Sequence, residues 1–588
     1  MWFFGSQSVR GPALARRRTA SYRPRLEALE DRCLLNAGAL DPTFGNGAGY
    51  VTTALSSTND SVQQVLVQPS GNIVAAGLTS IPVTTTTTNH KTTTTNVNVF
   101  GVVTYNPDGS LDTAFGSGGI VKQPFAGQGT HGAHHWGAAL EPMGAAGDDK
   151  IVLAGQDTAQ GGLALMRLNA NGSLDTSFGG SGQVITQFQT SQGNVSFQEA
   201  QAVTVTSAGQ IVALGSDQTY TWLLARYNAN GSLDSTFGSG GKATLVFSSS
   251  AYSFSTFVTG VAQQADGKLV VAGREHWSNY PASGSTNEGI VVRFNANGSV
   301  DTSFGSGGVV TTVVGSLSQL QNRGIAIYPN AGTANDGKIV GSSLVYTTPG
   351  STSTWQGSVE RYNPDGSPDT TFGNGTGSVL IPNASTYNGL AQAVTIESDG
   401  KPIFVGDLIP VIGQTNPPPS VLLVGRLNLD GSLDSGFGNG GLVTTAILGN
   451  AGGGPVALQP DGKIVAAGAS SVSGGNNEFA VARYLPSEPE IGSFTANPNP
   501  VTSGGSLTLI VSGIADGNTG ATITQVTFYY FDNSGTKQVL GNATQTSPGV
   551  WTLNFTVNLA SGTYTIYAQA EDSYGVFGDP FALSLTVQ

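Results

Sequence analysis

The chain has 588 residues, about 14% of them glycine and 10% charged, with a formal charge of −13; an ordinary soluble domain has roughly half that glycine and about 25% charge. That length calls for two or more domains. The acidity excludes a general nucleic-acid binder, which needs Lys and Arg to displace phosphate counterions; the 38% hydrophobic content excludes a disordered acidic tail; and no apolar run is long enough for a membrane-spanning helix.

Charge is uneven along the chain. Residues 1–35 hold seven Arg against Glu27, Glu30 and Asp31, so the start is basic and the remainder more acidic than the average. A basic start reads as a targeting segment rather than part of the fold. Trp2-Phe3-Phe4 is too short for the apolar stretch of a signal peptide. Residues 25–37, Arg-Leu-Glu-Ala-Leu-Glu-Asp-Arg-Cys-Leu-Leu-Asn-Ala, resemble the LEPR-XLL-type N-terminal segment of planctomycete surface and secreted proteins. The resemblance implies an extracellular or cell-surface protein, with residues 1–39 as an export or sorting segment. Cys33, in this leader, is the sole cysteine, so the body has no disulfide framework, thiolate metal site or cysteine nucleophile.

From residue 40 onward one phrase recurs. Asn-Gly-Ser-Leu-Asp-Thr-Ser-Phe-Gly at 171–179 returns with small changes, its Phe at 44, 115, 178, 237, 304, 372 and 437. Seven copies fill residues 40–485, about 64 residues each. Each unit also carries a phrase like Asp266-Gly-Lys-Leu-Val-Val-Ala-Gly273 and a strand ending in Arg, such as Leu163 to Arg167. Asp-Gly between apolar runs is a hairpin signal, because the turn requires positive φ. The Asn-Pro-Asp-Gly and Asn-Ala-Asn-Gly sequences are turns, and helical periodicity with caps is absent from 40–485. The pattern predicts about four short strands per unit. Such units bury their faces by stacking radially, which makes an all-β, seven-bladed β-propeller.

These phrases resemble the delta-60 repeat family of bacterial proteins, for which a β-propeller is expected. The family carries no established activity onto this chain.

In five units an Arg precedes an Asp by eight residues: Arg167/Asp175, Arg226/Asp234, Arg293/Asp301, Arg361/Asp369 and Arg426/Asp434. Another unit has Thr104 before Asp112. Asp41 and Arg483 are left as orphans at opposite ends of the repeat region, and a closed ring would unite them. The spacing predicts that Asp41–Phe44 packs beside 479–485, and that each Phe plugs the space between blades. The recurrent Asp reads either as the ion-pair partner of its Arg or as the cap of its own turn.

Chemistry-bearing residues are few. The Asp loops fall short of the D-x-D-x-D-G pattern by which the FG-GAP repeat binds calcium, so no cofactor is expected, with calcium as the alternative. The one dense histidine cluster, His131, His134 and His135 beside Trp136, has only Glu141 near it as an acid, and reads as a solvated loop rather than a metal site. No catalytic residues are assigned. Segments 78–98, 274–288, 343–357 and 407–420 differ in length between units and read as variable loops on one face, where binding usually resides. Within them His276, Trp277, Tyr280, Tyr346 and Trp355 are the candidate ligand-binding residues, suited to stacking on a sugar or gripping a peptide. Residues 84–95, mostly Thr, read as an exposed flap, extended or disordered.

Residues 486–490 are a Pro-containing linker. In 491–588 the alternations Leu507/Leu509/Val511, Val526/Phe528/Tyr530, Trp551/Leu553/Phe555/Val557 and Tyr564/Ile566/Ala568/Ala570 predict a seven-stranded Ig-like β-sandwich. This part resembles bacterial Ig-like domains of surface proteins. Its Glu571, Asp572 and Asp579 read as solvated acids, with a calcium site as the alternative. The whole reads as a non-enzymatic binding or structural protein whose partner is a glycan or an extracellular protein. A propeller enzyme acting on polysaccharide at the central channel is the alternative.

Overall fold

A computed structural model describes residues 37–588 except 87–91, 126–132, 143–148, 158–159, 190–197, 218–219, 248–252, 279–284, 315–319, 347–354, 384–385, 412–416, 472–474, 487–488, 490, 517–521, 533–535, 574–577 and 579. The named elements are all strands, and no helix occurs among the described residues.

Up to Tyr484 the strands form seven antiparallel sheets, one per repeat. Sheet one holds Ser61–Val67, Ile73–Thr86, Thr92–Tyr105 and Ile120–Gln123; sheet two holds Ala133–Glu141, Lys150–Asp157, Leu163–Leu168 and Gln183–Thr186. Sheet three holds Glu199–Val205, Ile211–Ser216, Thr221–Tyr227 and Lys242–Val246; sheet four holds Ser253–Gln263, Leu269–Ser278, Ser285–Phe294 and Val309–Thr311. Sheet five holds Leu320–Ile327, Ile339–Tyr346, Trp355–Tyr362 and Ser378–Leu380. In sheet six the lead strand is broken into Tyr387–Gly389 and Ala393–Ile396, followed by Pro402–Pro410, Val421–Arg426 and Leu442–Thr445.

Sheet seven draws on both ends of the repeat region. Asn450–Leu458, Ile464–Ser471 and Glu478–Tyr484 are completed by Tyr50–Thr53, with Tyr50 opposite Ala482 and Thr53 opposite Phe479. The lead strands of successive sheets adjoin one another, and that of sheet seven adjoins that of sheet one.

The core lies between sheet faces. Val74, Ala76, Phe100 and Val102 of sheet one pack on Ile151, Leu153, Ala164 and Met166 of sheet two. Val465, Ala467, Phe479 and Val481 of sheet seven pack likewise on Val65, Ile73, Ala75 and Val103 of sheet one. Middle strands are therefore covered on both sides. Leu163–Leu168 and Thr221–Tyr227 are buried at every position, which is why they read as apolar runs up to their Arg instead of alternating strands.

Beyond Leu485 two further four-stranded sheets share one core. One holds Ser493–Asn497, Ser506–Ser512, Val550–Thr556 and Thr544–Ser547; the other holds Lys537–Asn542, Ile523–Phe531, Gly562–Asp572 and Phe581–Val587. Leu507, Leu509, Val511 and Trp551 of the first meet Val526, Phe528, Ile566 and Ala568 of the second. Eight strands occupy this region among the described residues, against the seven anticipated.

Two of the segments read as variable loops, 78–98 and 274–288, are mostly strand, and the other two begin as strand. Ile73–Thr86 pairs continuously with Thr92–Tyr105, down to Thr86 opposite Thr92, so the Thr-rich flap is a protruding hairpin with 87–91 outside the described residues. The physical reason is β-propensity: runs of Thr suit a pleated pair better than a loop, and the Thr84 and Thr94 hydroxyls bond across it at 3.0 Å.

Candidate functional site

The two ends of the sheets differ in character. One end carries the Asp-Gly turns and the Asp-x-x-Phe-Gly phrases, and it is built the same way around the protein. In each of six units Arg Nε donates to the Asp Oδ2, over 2.6–2.9 Å. The sixth pair is Arg483 with Asp41, whose backbones also bond, Asp41 N to Arg483 O at 2.9 Å. The orphans of the sequence are thus partners. The same Asp caps its turn: Oδ1 of Asp369 accepts from Thr371 N at 3.0 Å and from its hydroxyl at 2.7 Å. Both readings of the recurrent Asp hold at once, one on each carboxylate oxygen.

Sequence reasoning missed a third member of this cluster. The Lys just before or at the start of the second strand also reaches Oδ2, as Lys150, which follows Asp149, to Asp175 at 2.7 Å, and as Lys338 and Lys401 of Asp-Gly-Lys turns to Asp369 at 2.8 Å and to Asp434 at 2.9 Å. Its recurrence was the available signal. Each Arg lies over the ring of its unit's Phe, 4.5–4.9 Å from the centroid in six units, a cation–π contact worth about 2 kcal/mol when desolvated. Burial works to raise the Asp369 carboxyl, but Lys338, Thr371 and Arg361 together hold it well below the usual range.

The Phe residues are all buried, at most 1% exposed, and each is covered by the turn of the following unit. Gly366, at φ +88°, illustrates why glycine is needed there: a Cβ would stand 2.9 Å from the Phe304 ring. Gly38 covers Phe437 in the same way, and Gly438 N donates to Ala37 O at 2.8 Å. Sheet one departs from the pattern. Thr104 replaces the Arg, its hydroxyl is buried without a hydrogen-bond partner, and Asp112 takes Asn72 Nδ2 at 3.3 Å.

The other end carries the hairpins between second and third strands, and here the sheets differ. His276 lies in the strand Leu269–Ser278, opposite Asn287, with Nδ1 and Asn287 Oδ1 3.0 Å apart. Trp277 stands opposite Thr286 in the same hairpin, and Tyr280 lies outside the described residues. Tyr346 stands opposite Trp355 in register, as the last pair of the neighbouring hairpin. Four of the five candidates therefore occupy one end of two adjacent sheets, on strands rather than loops. Beside them Glu275 pairs with Glu288 across the ladder; burial first, then the like charge of Glu288, pushes the Glu275 carboxyl up to about 7. His131 lies outside the described residues, and Glu141 binds Arg167 Nη1 at 2.7 Å.

Between the two ends runs a central cavity of about 370 Å³, lined by all seven lead strands. Six of these strands show a register shift or break at an equivalent point, and in sheet six the lead strand itself is interrupted there. The extra residues include Gln63, Gln201, Thr259 and Arg323, with Gln392 in the break. A bulge re-aims its side chain, and these five line the cavity together with Arg274. The bulge also explains the recurrent Gly of the Ala-Ala-Gly phrase: a Cβ on Gly215 would lie 1.7 Å from Glu199 O, and one on Gly406 2.1 Å from Leu390 O. Sheet five puts Ser343 at that place, next to the buried Glu360, whose carboxyl accepts from Ser358 at 2.5 Å and Ser343 at 3.0 Å. Burial raises Glu360 to about 7 against those hydrogen bonds. Among the described residues no three His, Cys, Asp or Glu side chains form a metal-holding group.

The model of the β-propeller family described as domain of unknown function DUF5122 matches residues 92–115, 146–178, 207–237, 264–304, 334–372 and 459–487. No curated protein matches the sequence. Among solved structures, a catalytically inactive virginiamycin B lyase from Staphylococcus aureus with quinupristin is 11% identical, covering 74% of this chain and 99% of that one, at a TM-score of 0.38. The Dos1 propeller is 10% identical over 74% and 94%, at 0.39. An α-L-arabinanase of Penicillium chrysogenum with arabinobiose is 10% identical over 59% and 92%, at 0.35. Likenesses this low do not bear on ligand or chemistry. With the family match and its own strand order, the chain is an all-β, β-propeller repeat protein. No helix among the described residues is long and apolar enough to cross a membrane.

Proposed function

We propose that the seven sheets are the blades of one closed propeller, carried with an Ig-like module on an exported or cell-surface protein, and that its role is binding or structural rather than enzymatic. In this reading the hairpin end is the binding face for a glycan or an extracellular protein, and the C-terminal module is a spacer.

The observation that carries the reading is the contrast between the ends. The Asp–Arg end repeats the same pair in six of seven units, joined by a Lys in five of them and by Gln210 in the sixth, as a structural device would. The hairpin end varies from 6-residue strands in sheet three to 14-residue strands in sheet one, and it gathers His276, Trp277, Tyr346 and Trp355 on two neighbouring sheets. Aromatic rings suit sugar faces and peptide side chains.

A glycan array probed with the full chain, alongside the Trp355→Ala and His276→Ala variants, tests this. Binding to a defined glycan class that falls at least tenfold in the variants supports the face. Binding unaltered in both, or none to glycans or co-secreted proteins, refutes it. The enzymatic alternative places polysaccharide cleavage at the central cavity. The residues lining that cavity include neither a carboxylate nor an imidazole, so they offer no general acid or base, and binding is preferred.

A further inference from the structure

We propose that the central cavity is a second binding site, for an oxyanion carried by a small polar ligand, and that Arg274 and Arg323 hold the charge. The ligand class is a carboxylated or sulfated sugar, or another small molecule bearing such a group.

Three observations carry this. First, Arg274 and Arg323 are the charged residues among those lining the cavity, in a chain of net charge −13. Second, they converge from adjacent sheets on one neutral atom: Gln321 Oε1 accepts from Arg274 Nη1 and, at 3.1 Å, from Arg323 Nη2. Guanidinium forks match carboxylate and sulfate geometry, and two of them sharing an amide oxygen are already arranged around an acceptor. Arg274 is fixed further by the Phe257 ring, 4.6 Å from its Cζ.

Third, neither charge is part of the repeat. Elsewhere the structural arginines recur from unit to unit. The residue after the Ala-Ala-Gly glycine, Arg274 in sheet four, is Leu78, Gln156, Ser216, Asp407 or Ala469 in the other units that keep that glycine. The bulge residue, Arg323 in sheet five, is Gln63, Gln201 or Thr259 in sheets one, three and four. The fold needs no charge at either place.

The rest of the wall fits a polyhydroxylated body. Gln63, Thr259 and the Gln392 amide oxygen offer neutral groups, and a volume of about 370 Å³ falls in the range of small-molecule pockets, roughly 300–1,000 Å³. Three buried acids, Glu199, Glu360 and Asp407, stand behind the wall and accept from Gln201, from Ser343 and Ser358, and from Gln392. Of the three, Asp407 is the one close enough to Arg323 for that charge to act against the burial that raises its carboxyl.

The test is calorimetric titration of the full chain with sodium sulfate, sodium glucuronate and neutral glucose, at constant ionic strength. Saturable binding of sulfate or glucuronate but not glucose is expected, weakened at least tenfold in Arg274→Gln and in Arg323→Gln and unchanged in the exposed Lys122→Gln. Sulfate alone assigns a sulfate ester, and glucuronate alone a carboxylated sugar. No oxyanion binding to the wild type, or binding unaltered in both Arg variants, overturns the proposal. Should the variants fail to fold, dicarbonyl modification of the wild type decides: the bound oxyanion protects Arg274 and Arg323 in peptide mass maps, and absence of protection overturns it. None of these changes touches the hairpin tips, so failure here is distinct from failure of the binding face.

Discussion

Replacing Asp369 by alanine is expected to destabilise the protein far more than the same change at Asp112, although both occupy the same place in the repeat. Asp369 is 3% exposed and gathers Arg361 Nε at 2.6 Å, Lys338 Nζ at 2.8 Å and the Thr371 turn. Its removal leaves two buried cations without their carboxylate, which costs about 3–5 kcal/mol, and uncaps the turn for about 1 kcal/mol more. Asp112 is half-buried, meets no Arg, and accepts from Asn72 and the Ala114 amide only at 3.3 and 3.0 Å. Its loss is worth about 1 kcal/mol. Urea unfolding of the two variants should therefore separate by about 3 kcal/mol or more. Arg361→Met added to Asp369→Ala should recover part of the loss, since it removes the stranded charge. Equal losses at the two sites, or no recovery in the double variant, would refute the view that these clusters hold the units together.

Other outcomes follow from single residues. Gly215→Ala forces a Cβ to within 1.7 Å of Glu199 O and should lower stability by about 2–4 kcal/mol, whereas Gly562→Ala, with nothing closer than 3.8 Å, should change it by less than about 1 kcal/mol in the same denaturation assay. Glu360 titrates near 7 when folded against an ordinary 4.5, so the folded chain keeps a proton that the unfolded chain releases. Its contribution is full below about pH 4.5, is lost as pH climbs through about 7, and is on the order of 1–3 kcal/mol; Glu360→Gln should flatten the stability profile over that window. Thr104→Val deletes a buried hydroxyl that has no hydrogen-bond partner and should raise stability by about 0.5–1 kcal/mol, read as a higher Tm.

The repeat made much of this architecture legible. Seven Phe positions and eight-residue Arg-to-Asp spacings were enough to place Asp41 against Arg483, because covalent units of one kind must meet in one way. The Lys of these clusters stayed hidden: it lies 25–33 residues from its Asp in the chain, and for Lys338 and Lys401 the Asp-Gly turn explained its presence without a partner. Segments 78–98 and 274–288 read as loops because Thr and Ser between apolar runs look like loop until pairing supplies their hydrogen bonds. The channel wall was invisible for a related reason. A bulge breaks the period of two on which strand reading depends, so the side chains it turns inward, Arg323 among them, have no periodic signature.

Closure of the sheets by the two ends of the repeat region underlies every functional statement, and cross-linking tests it directly. Thr52 stands opposite Ala480, and opposed Cα atoms in an antiparallel pair, about 4.5–5.5 Å apart, lie within disulfide reach. In a Cys33→Ser background, the Thr52→Cys, Ala480→Cys variant should form an intramolecular disulfide on mild oxidation, seen as a reducible mobility shift. Free thiols in the folded, oxidised double variant would contradict the closure.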